Sequence, residues 1–147
     1  MRTKVVDIVP TGTANLASVE AALTRCGAVP RRVRRAPEIR DAELLVVPGV
    51  GTLAAAVERL QSRGFFAALA RRLEEERPTL AICVGMQLLA TGSEESPGVA
   101  GLGVLADRAR RFPSTVPVPQ IGWNRVVPDP EIDWIKEGFA YFANSYF

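Results

Sequence analysis

Pro78-Thr79-Leu80-Ala81-Ile82-Cys83-Val84-Gly85-Met86-Gln87-Leu88-Leu89 is the stretch whose reading decides the fold. A short apolar run, Leu80 to Ile82, meets a cysteine, then a glycine two places on, then an apolar helical pattern. That order predicts strand, sharp turn, helix. It lifts the Cys83 sulfur onto the turn, beside the free backbone N–H groups of the first helical residues, where a thiolate and a developing oxyanion are both favoured. The plainer reading is a buried cysteine at a strand end, since free cysteine is among the most buried residue types. The stretch alone leaves both open.

A second strand-end motif stands upstream. Leu44-Leu45-Val46-Val47 is a continuous apolar run, as for a parallel strand buried on both faces, and it ends in Pro48-Gly49-Val50-Gly51-Thr52. In open α/β sheets ligands bind at the carboxyl ends of strands, so the two motifs are expected to face one crevice. Two glycines around one valine allow a peptide N–H to point into that crevice as an oxyanion donor. A tight strand-to-helix turn would use the same residues.

The remaining elements fit around these two. Lys4 to Val9 reads as a strand closed by Pro10, Thr11 and Gly12. Leu16, Val19, Leu23 and Cys26 then fall at helical spacing, with Thr13 as N-cap, Gly27 as the stop and Cys26 on the buried stripe. Val29 to Arg34 is a poorer strand, in which Arg31, Arg32, Arg34 and Arg35 suit a solvated face better than an anion-binding patch. Pro37 and Glu38 open a linker or helical turn. Leu53, Val57 and Leu60 mark a helix that Gly64 breaks. Phe65, Phe66, Leu69 and Leu73 mark the next, whose other face carries Arg71, Arg72, Glu74, Glu75 and Glu76. Strands alternating with helices predict an α/β, doubly wound, mostly parallel sheet. After Thr91, glycines and prolines punctuate short β-like pieces at Val104-Leu105, Arg110 to Phe112, Trp123 to Val127 and Phe139 to Ser145. They read as an antiparallel extension laid on the sheet.

Composition narrows the function classes. The 147 residues are 48% hydrophobic and 23% charged, an ordinary globular balance expected to form one domain over residues 1–147. A net charge of +2 gives no argument for nucleic acid. No apolar run reaches the roughly 18–20 residues of a membrane span. Two cysteines give no disulfide framework and Met1-Arg2-Thr3-Lys4 no signal-peptide pattern, so a cytoplasmic location is expected. There is no histidine.

With both motifs in place, the chain resembles the glutaminase subunits of imidazole glycerol phosphate synthase, class I (triad-type) glutamine amidotransferases with a flavodoxin-like fold. The matching pieces run in order along the chain: Thr11 to Leu16, Pro48 to Thr52, Ile82 to Leu89, Ser93 to Ser96, Gly101-Leu102-Gly103, Arg111-Phe112, Pro119 to Asn124 and Tyr141 to Tyr146. The resemblance implies that Cys83 attacks the side-chain amide of glutamine to give a glutamyl thioester and ammonia. It implies an oxyanion hole at Val50, Gly51 and Val84, and a glutamine site lined by Gly49, Gln87 and Glu94. It also implies no cofactor, no metal, and a partner cyclase subunit with a (β/α)₈ barrel that receives the ammonia and makes imidazole glycerol phosphate and an aminoimidazole carboxamide ribotide. Asn15, Gln120 and Trp123 fall in loops such subunits present to that partner. Their plainer roles are a first-turn helix residue, a loop residue and a core anchor.

The departures are specific. Such glutaminases carry a catalytic His and Glu in a C-terminal His-Pro-Glu segment, which this sequence lacks. The expectation is therefore a domain lacking its C-terminal portion, with an exposed sheet edge and little or no turnover of its own, since lost acid–base help costs about 10²–10⁴-fold. Ala81 stands where glycine is usual, Val9-Pro10-Thr11 replaces an Asp-led start, and Gln120 and Asn144 stand where relatives often have histidine. Two rivals remain: a glutaminase subunit of another pathway, and a non-catalytic partner-binding module of the same fold.

Overall fold

The computed structural model describes residues 4–132 and 134–147, which fall into two compact units, the first running to Ala109 and the second from Arg110. In the first unit, β1 (Val5–Ile8), β2 (Val29–Arg32), β3 (Leu45–Gly49) and β4 (Thr79–Cys83) form a parallel sheet in the order β2-β1-β3-β4. The connections carry helices α1 (Leu16–Arg25), α2 (Ala36–Asp41), α3 (Leu53–Ser62) and α4 (Phe65–Glu74). A one-turn helix α5 (Val84–Gln87) follows β4 directly. This is the α/β doubly wound, flavodoxin-like arrangement the alternating pattern predicts.

β3 is central and every one of its residues is buried, as its unbroken apolar run requires. Leu53, Leu60, Phe65, Leu69, Val84 and Leu88 complete the core around Val47 and Leu45. Each such side chain contributes about 1.5–3 kcal/mol by leaving water. Gly64 takes φ +68° between α3 and α4, the left-handed geometry that lets the chain reverse there. β4 lies at the edge of the sheet among the described residues, and Leu80 and Ile82 are exposed along it.

Three expectations are corrected. Asn15, not Thr13, caps α1, its side-chain oxygen accepting from the Ser18 N–H at 3.2 Å. Cys26 is exposed, because it is the C-cap residue of α1 and no residue of that helix is fully buried. Arg72 does not face solvent but is wholly buried. Its guanidinium donates to the carbonyls of Ile39 (3.0 Å), Ala42 (2.7 Å) and Pro78 (2.6 Å) and to the Thr79 hydroxyl (3.0 Å). A polar fork on an amphipathic helix thus serves the carbonyls where α2 ends and β4 begins. Burial pushes its pKa down.

The arginines around β2 are largely matched by carboxylates. Arg31 pairs with the buried Asp7, Arg32 with Glu20 and Arg35 with Glu38. Hydrogen bonding to Arg32 holds Glu20 below the usual carboxylate range, and the Arg34 backbone N–H does the same for Glu38. The solvated-face reading of this cluster fits those pairs.

The glycine-rich stretch after Thr91 forms a small antiparallel pair, β5 (Gly92–Ser93) with β6 (Ser96–Ala100). Val104 and Leu105 lie in an exposed bend rather than a strand. The second unit is built on a hairpin of β7 (Gln120–Val126) and β8 (Gly138–Asn144), paired Trp123 to Tyr141, with the two rings edge to face at 5.7 Å. Arg111 makes a single bridge to Tyr146, and Phe112 stacks on Phe147 at 5.1 Å. The antiparallel strands therefore form sheets of their own.

Candidate active site

The register of β3 against β4 sets Gly49 opposite Cys83, so both glycine-rich and cysteine motifs end their strands at one level. Cys83 takes φ 57°, ψ −116°, a conformation costing a non-glycine residue roughly 1–3 kcal/mol. Such strain persists only where the surroundings impose it. Here the surroundings are the abrupt change from β4 to α5, and the result is a thiol on the outside of the turn, exposed to solvent. The buried-cysteine reading is excluded. Val84, Gly85 and Met86 are the first residues of α5, so their N–H groups have no acceptor within the helix.

Two glycines make this approach possible. A Cβ on Gly49 would stand 3.0 Å from the Val84 Cβ and 3.1 Å from the Gly85 nitrogen. A Cβ on Gly85 would stand 1.8 Å from the Val47 carbonyl oxygen. The first turn of α5 therefore rests directly on the end of β3. Gly51 takes φ +83° with open space around its Cβ position, and Val50 is exposed beside it.

Gln87 is the last residue of α5, the short helix that follows Cys83. Its Oε1 is buried and has no donor among the described residues. Glu94 sits in the turn between β5 and β6, its backbone N–H donating to the Ala109 carbonyl at 2.9 Å. β6, which follows that turn, is tied to the first turn of α3, because the Ser96 hydroxyl accepts from the Ala54 N–H at 3.2 Å. From the other side, the buried Thr11 hydroxyl donates to the Pro48 carbonyl at 2.7 Å. Periodicity gives no sign of either contact, since each joins residues far apart in sequence.

Gly49, Val50, Gly51, Cys83, Val84 and Gln87 are thus assembled at adjacent strand ends, with the Glu94 turn linked to them through Ser96. Asn15 is the exposed cap of α1. In the second unit Gln120 opens β7 and Trp123 is 70% exposed, which removes the core-anchor reading of Trp123. Both line a cavity of about 640 Å³ together with Phe112, Pro117 and Phe147. No group of three or more His, Cys, Asp or Glu side chains with metal-binding geometry occurs among the described residues. No helix among them is long and apolar enough to cross a membrane.

Known proteins match both the sequence and the fold. The CobB/CobQ-like glutamine amidotransferase domain family matches residues 14–110. An imidazole glycerol phosphate synthase subunit HisH from Thermus thermophilus is 40% identical over 136 residues, covering 92% of this chain and 68% of that protein. The HisH subunit of Pyrobaculum aerophilum is 44% identical over 147 residues, covering 97% of this chain and 70% of that one. The imidazole glycerol phosphate synthase hisHF of Arabidopsis thaliana is 39% identical over 147 residues, of which this chain spans 25%. A crystal structure of a glutamine amidotransferase superposes with a TM-score of 0.68 at 23% identity, covering 94% of this chain and 70% of that one, which bears on the fold. The chain spans about two thirds of the length of the bacterial and archaeal HisH subunits it matches. With identities of this order over most of the chain, it belongs to the glutamine amidotransferases, in the family of imidazole glycerol phosphate synthase HisH subunits.

Proposed function

We propose that this chain carries the glutamine-binding and nucleophile-bearing part of a glutaminase. The strained, exposed Cys83 set level with Gly49 is the observation that carries the reading. Glutamine binds with its side-chain amide over the Cys83 sulfur, with Gly49, Gln87 and Glu94 lining the site. Sulfur attack forms a C–S bond and turns the amide carbonyl into an oxyanion, held by N–H groups at Val50 or Gly51 and at Val84. Collapse expels ammonia and leaves a glutamyl thioester, which water opens to glutamate. One such oxyanion donor is worth about 10²–10³ in rate.

The proton transfers are where this chain is weakest. It holds no histidine, so no imidazole within it removes the thiol proton or protonates the leaving ammonia. Acid–base help of that kind is worth about 10²–10⁴-fold, so this chain alone acylates slowly at best. The whole protein's reaction is glutamine hydrolysis in the cytoplasm coupled to ammonia delivery. Its partner is a barrel-shaped cyclase subunit, docked through surfaces that include Asn15, Gln120 and Trp123. No cofactor or metal takes part.

Intact-protein mass measurement after mixing the chain with glutamine tests the reading. A glutamyl group on Cys83, absent from Cys83→Ala, supports it. The rival reading is a partner-binding module that takes up glutamine without reacting. Glutamine binding with no glutamyl adduct and no glutamate release, even beside the cyclase, would favour that one.

A further inference from the structure

The loop between β3 and α3 is flanked by two hydroxyl contacts from elsewhere in the first unit, one to Pro48 at the end of β3 and one to Ala54 in the first turn of α3, and neither hydroxyl belongs to the glutamine site described above. At its entry the Thr11 side chain, wholly buried, donates to the Pro48 carbonyl at 2.7 Å. At its exit the Ser96 side chain, 5% exposed, accepts from the Ala54 N–H at 3.2 Å. Thr52 caps the same helix start, its hydroxyl accepting from the Ala55 N–H at 3.3 Å. Between these anchors lie Gly49, Val50 and Gly51, where Gly51 has open space around it and Val50 is exposed. A glycine-flanked peptide with such freedom turns either way at little cost. A donor that stabilises an oxyanion must be fixed beforehand, because reorganising it during reaction forfeits most of its value.

We propose that Thr11 and Ser96 are positioning residues for the candidate oxyanion loop, fixing its ends so that the Val50–Gly51 peptide presents its N–H beside Cys83. The proposal rests on the glutaminase reading of the Cys83 site. Thr11 acts through the Pro48 carbonyl, which belongs to the peptide immediately before Gly49. Ser96 acts through the first turn of α3, and it also joins the loop to the turn bearing Glu94. A hydroxyl suits both places, because it donates at one and accepts at the other.

The test uses the whole chain and a chloromethyl ketone analogue of glutamine. The Cys83 sulfur forms a C–S bond to the methylene carbon, chloride leaves with the C–Cl electron pair, and the thiol proton passes to solvent. The ketone oxygen occupies the place of the oxyanion, so the labelling rate reads the donors. Iodoacetamide labels the same sulfur without needing them. Thr11→Val, which keeps shape and loses the hydroxyl, should slow chloroketone labelling about tenfold, part of what a whole oxyanion donor is worth. Ser96→Ala should do the same, while Thr11→Ser stays within about twofold of the parent. Iodoacetamide rates should hold within about twofold throughout.

Amide hydrogen exchange at Val50 and Gly51 supplies the second measurement. Thr11→Val should speed it about tenfold, and Thr11→Ser should not. Equal chloroketone rates and equal exchange in Thr11→Val and Thr11→Ser would overturn the positioning role. A parent chain that the chloroketone labels no faster than iodoacetamide does, with loop exchange still accelerated in Thr11→Val, would overturn the glutaminase reading and leave the anchoring of the loop standing.

Discussion

Replacing Gly85 with alanine should damage this protein far more than helix propensity allows. By propensity alone, alanine in a helix is favoured over glycine by about 1 kcal/mol. The packing points the other way. The new Cβ would stand 1.8 Å from the Val47 carbonyl oxygen and 2.9 Å from its carbon, both backbone atoms of the central strand. Reaching an ordinary 3.4 Å contact requires the first turn of α5 to retreat about 1.6 Å from β3. Overpacking of this kind costs about 1–3 kcal/mol, and a backbone neighbour that cannot yield puts the expected loss near 3 kcal/mol. The retreat would also carry the Val84 N–H and the Cys83 elbow away from Gly49. Misplacement by about 1 Å is worth on the order of 10² in rate. Urea denaturation should show the destabilisation, and chloroketone labelling of Cys83 should fall by a similar order. Gly27→Ala is the control, since Gly27 has φ +78° with nothing within 4 Å of its Cβ position. It should lose only the left-handed strain of about 1–2 kcal/mol and keep its labelling rate. A Gly85→Ala protein as stable as the parent, with unchanged labelling, would refute the claim that α5 rests on β3.

Other consequences are equally direct. Arg72→Met should destabilise by about 3 kcal/mol in urea, because it strips three well-placed donors from the Ile39, Ala42 and Pro78 carbonyls; a loss under about 1 kcal/mol would show that water replaces the fork. Glu20 and Glu38 are both held below their ordinary 4.5, so the stability they add is full above that pH and lost as pH falls through their lowered values. Unfolding midpoints measured on the acid side should therefore fall less steeply in a Glu20→Gln, Glu38→Gln double variant. Trp123→Ala should leave stability within about 1 kcal/mol, since the ring is 70% exposed, while weakening affinity for the cyclase in a titration.

Much of this arrangement is legible in the sequence because its signals are local. The apolar run into Pro48-Gly49, and the strand, cysteine and helix order around Cys83, each place an element and its ending within a dozen residues. The register that brings Gly49 level with Cys83 follows once both runs are taken as neighbouring parallel strands. What escapes is non-local or depends on what covers a face. Arg72 reads as solvent-facing because its partners are backbone carbonyls contributed by α2 and β4, which no side-chain pattern announces. Cys26 reads as buried because helical spacing gives the stripe but not whether anything packs on it, and α1 buries none of its residues. The Thr11 and Ser96 hydroxyls leave no periodic trace, since each meets a backbone group distant in sequence. Trp123 was open between core and surface for a related reason: alternation along β7 defines two faces without saying which one is covered.

The central claim is that Cys83 stands inside a glutamine site, and the chain holds its own control in Cys26, which is also exposed. Iodoacetamide alkylation of both cysteines, followed by peptide mass analysis with and without glutamine, compares them in one sample. Saturating glutamine should slow alkylation of Cys83 at least about tenfold and leave Cys26 unchanged, with asparagine protecting neither, because a chain shorter by one methylene does not reach the sulfur. Equal rates at Cys83 with and without glutamine would contradict the account.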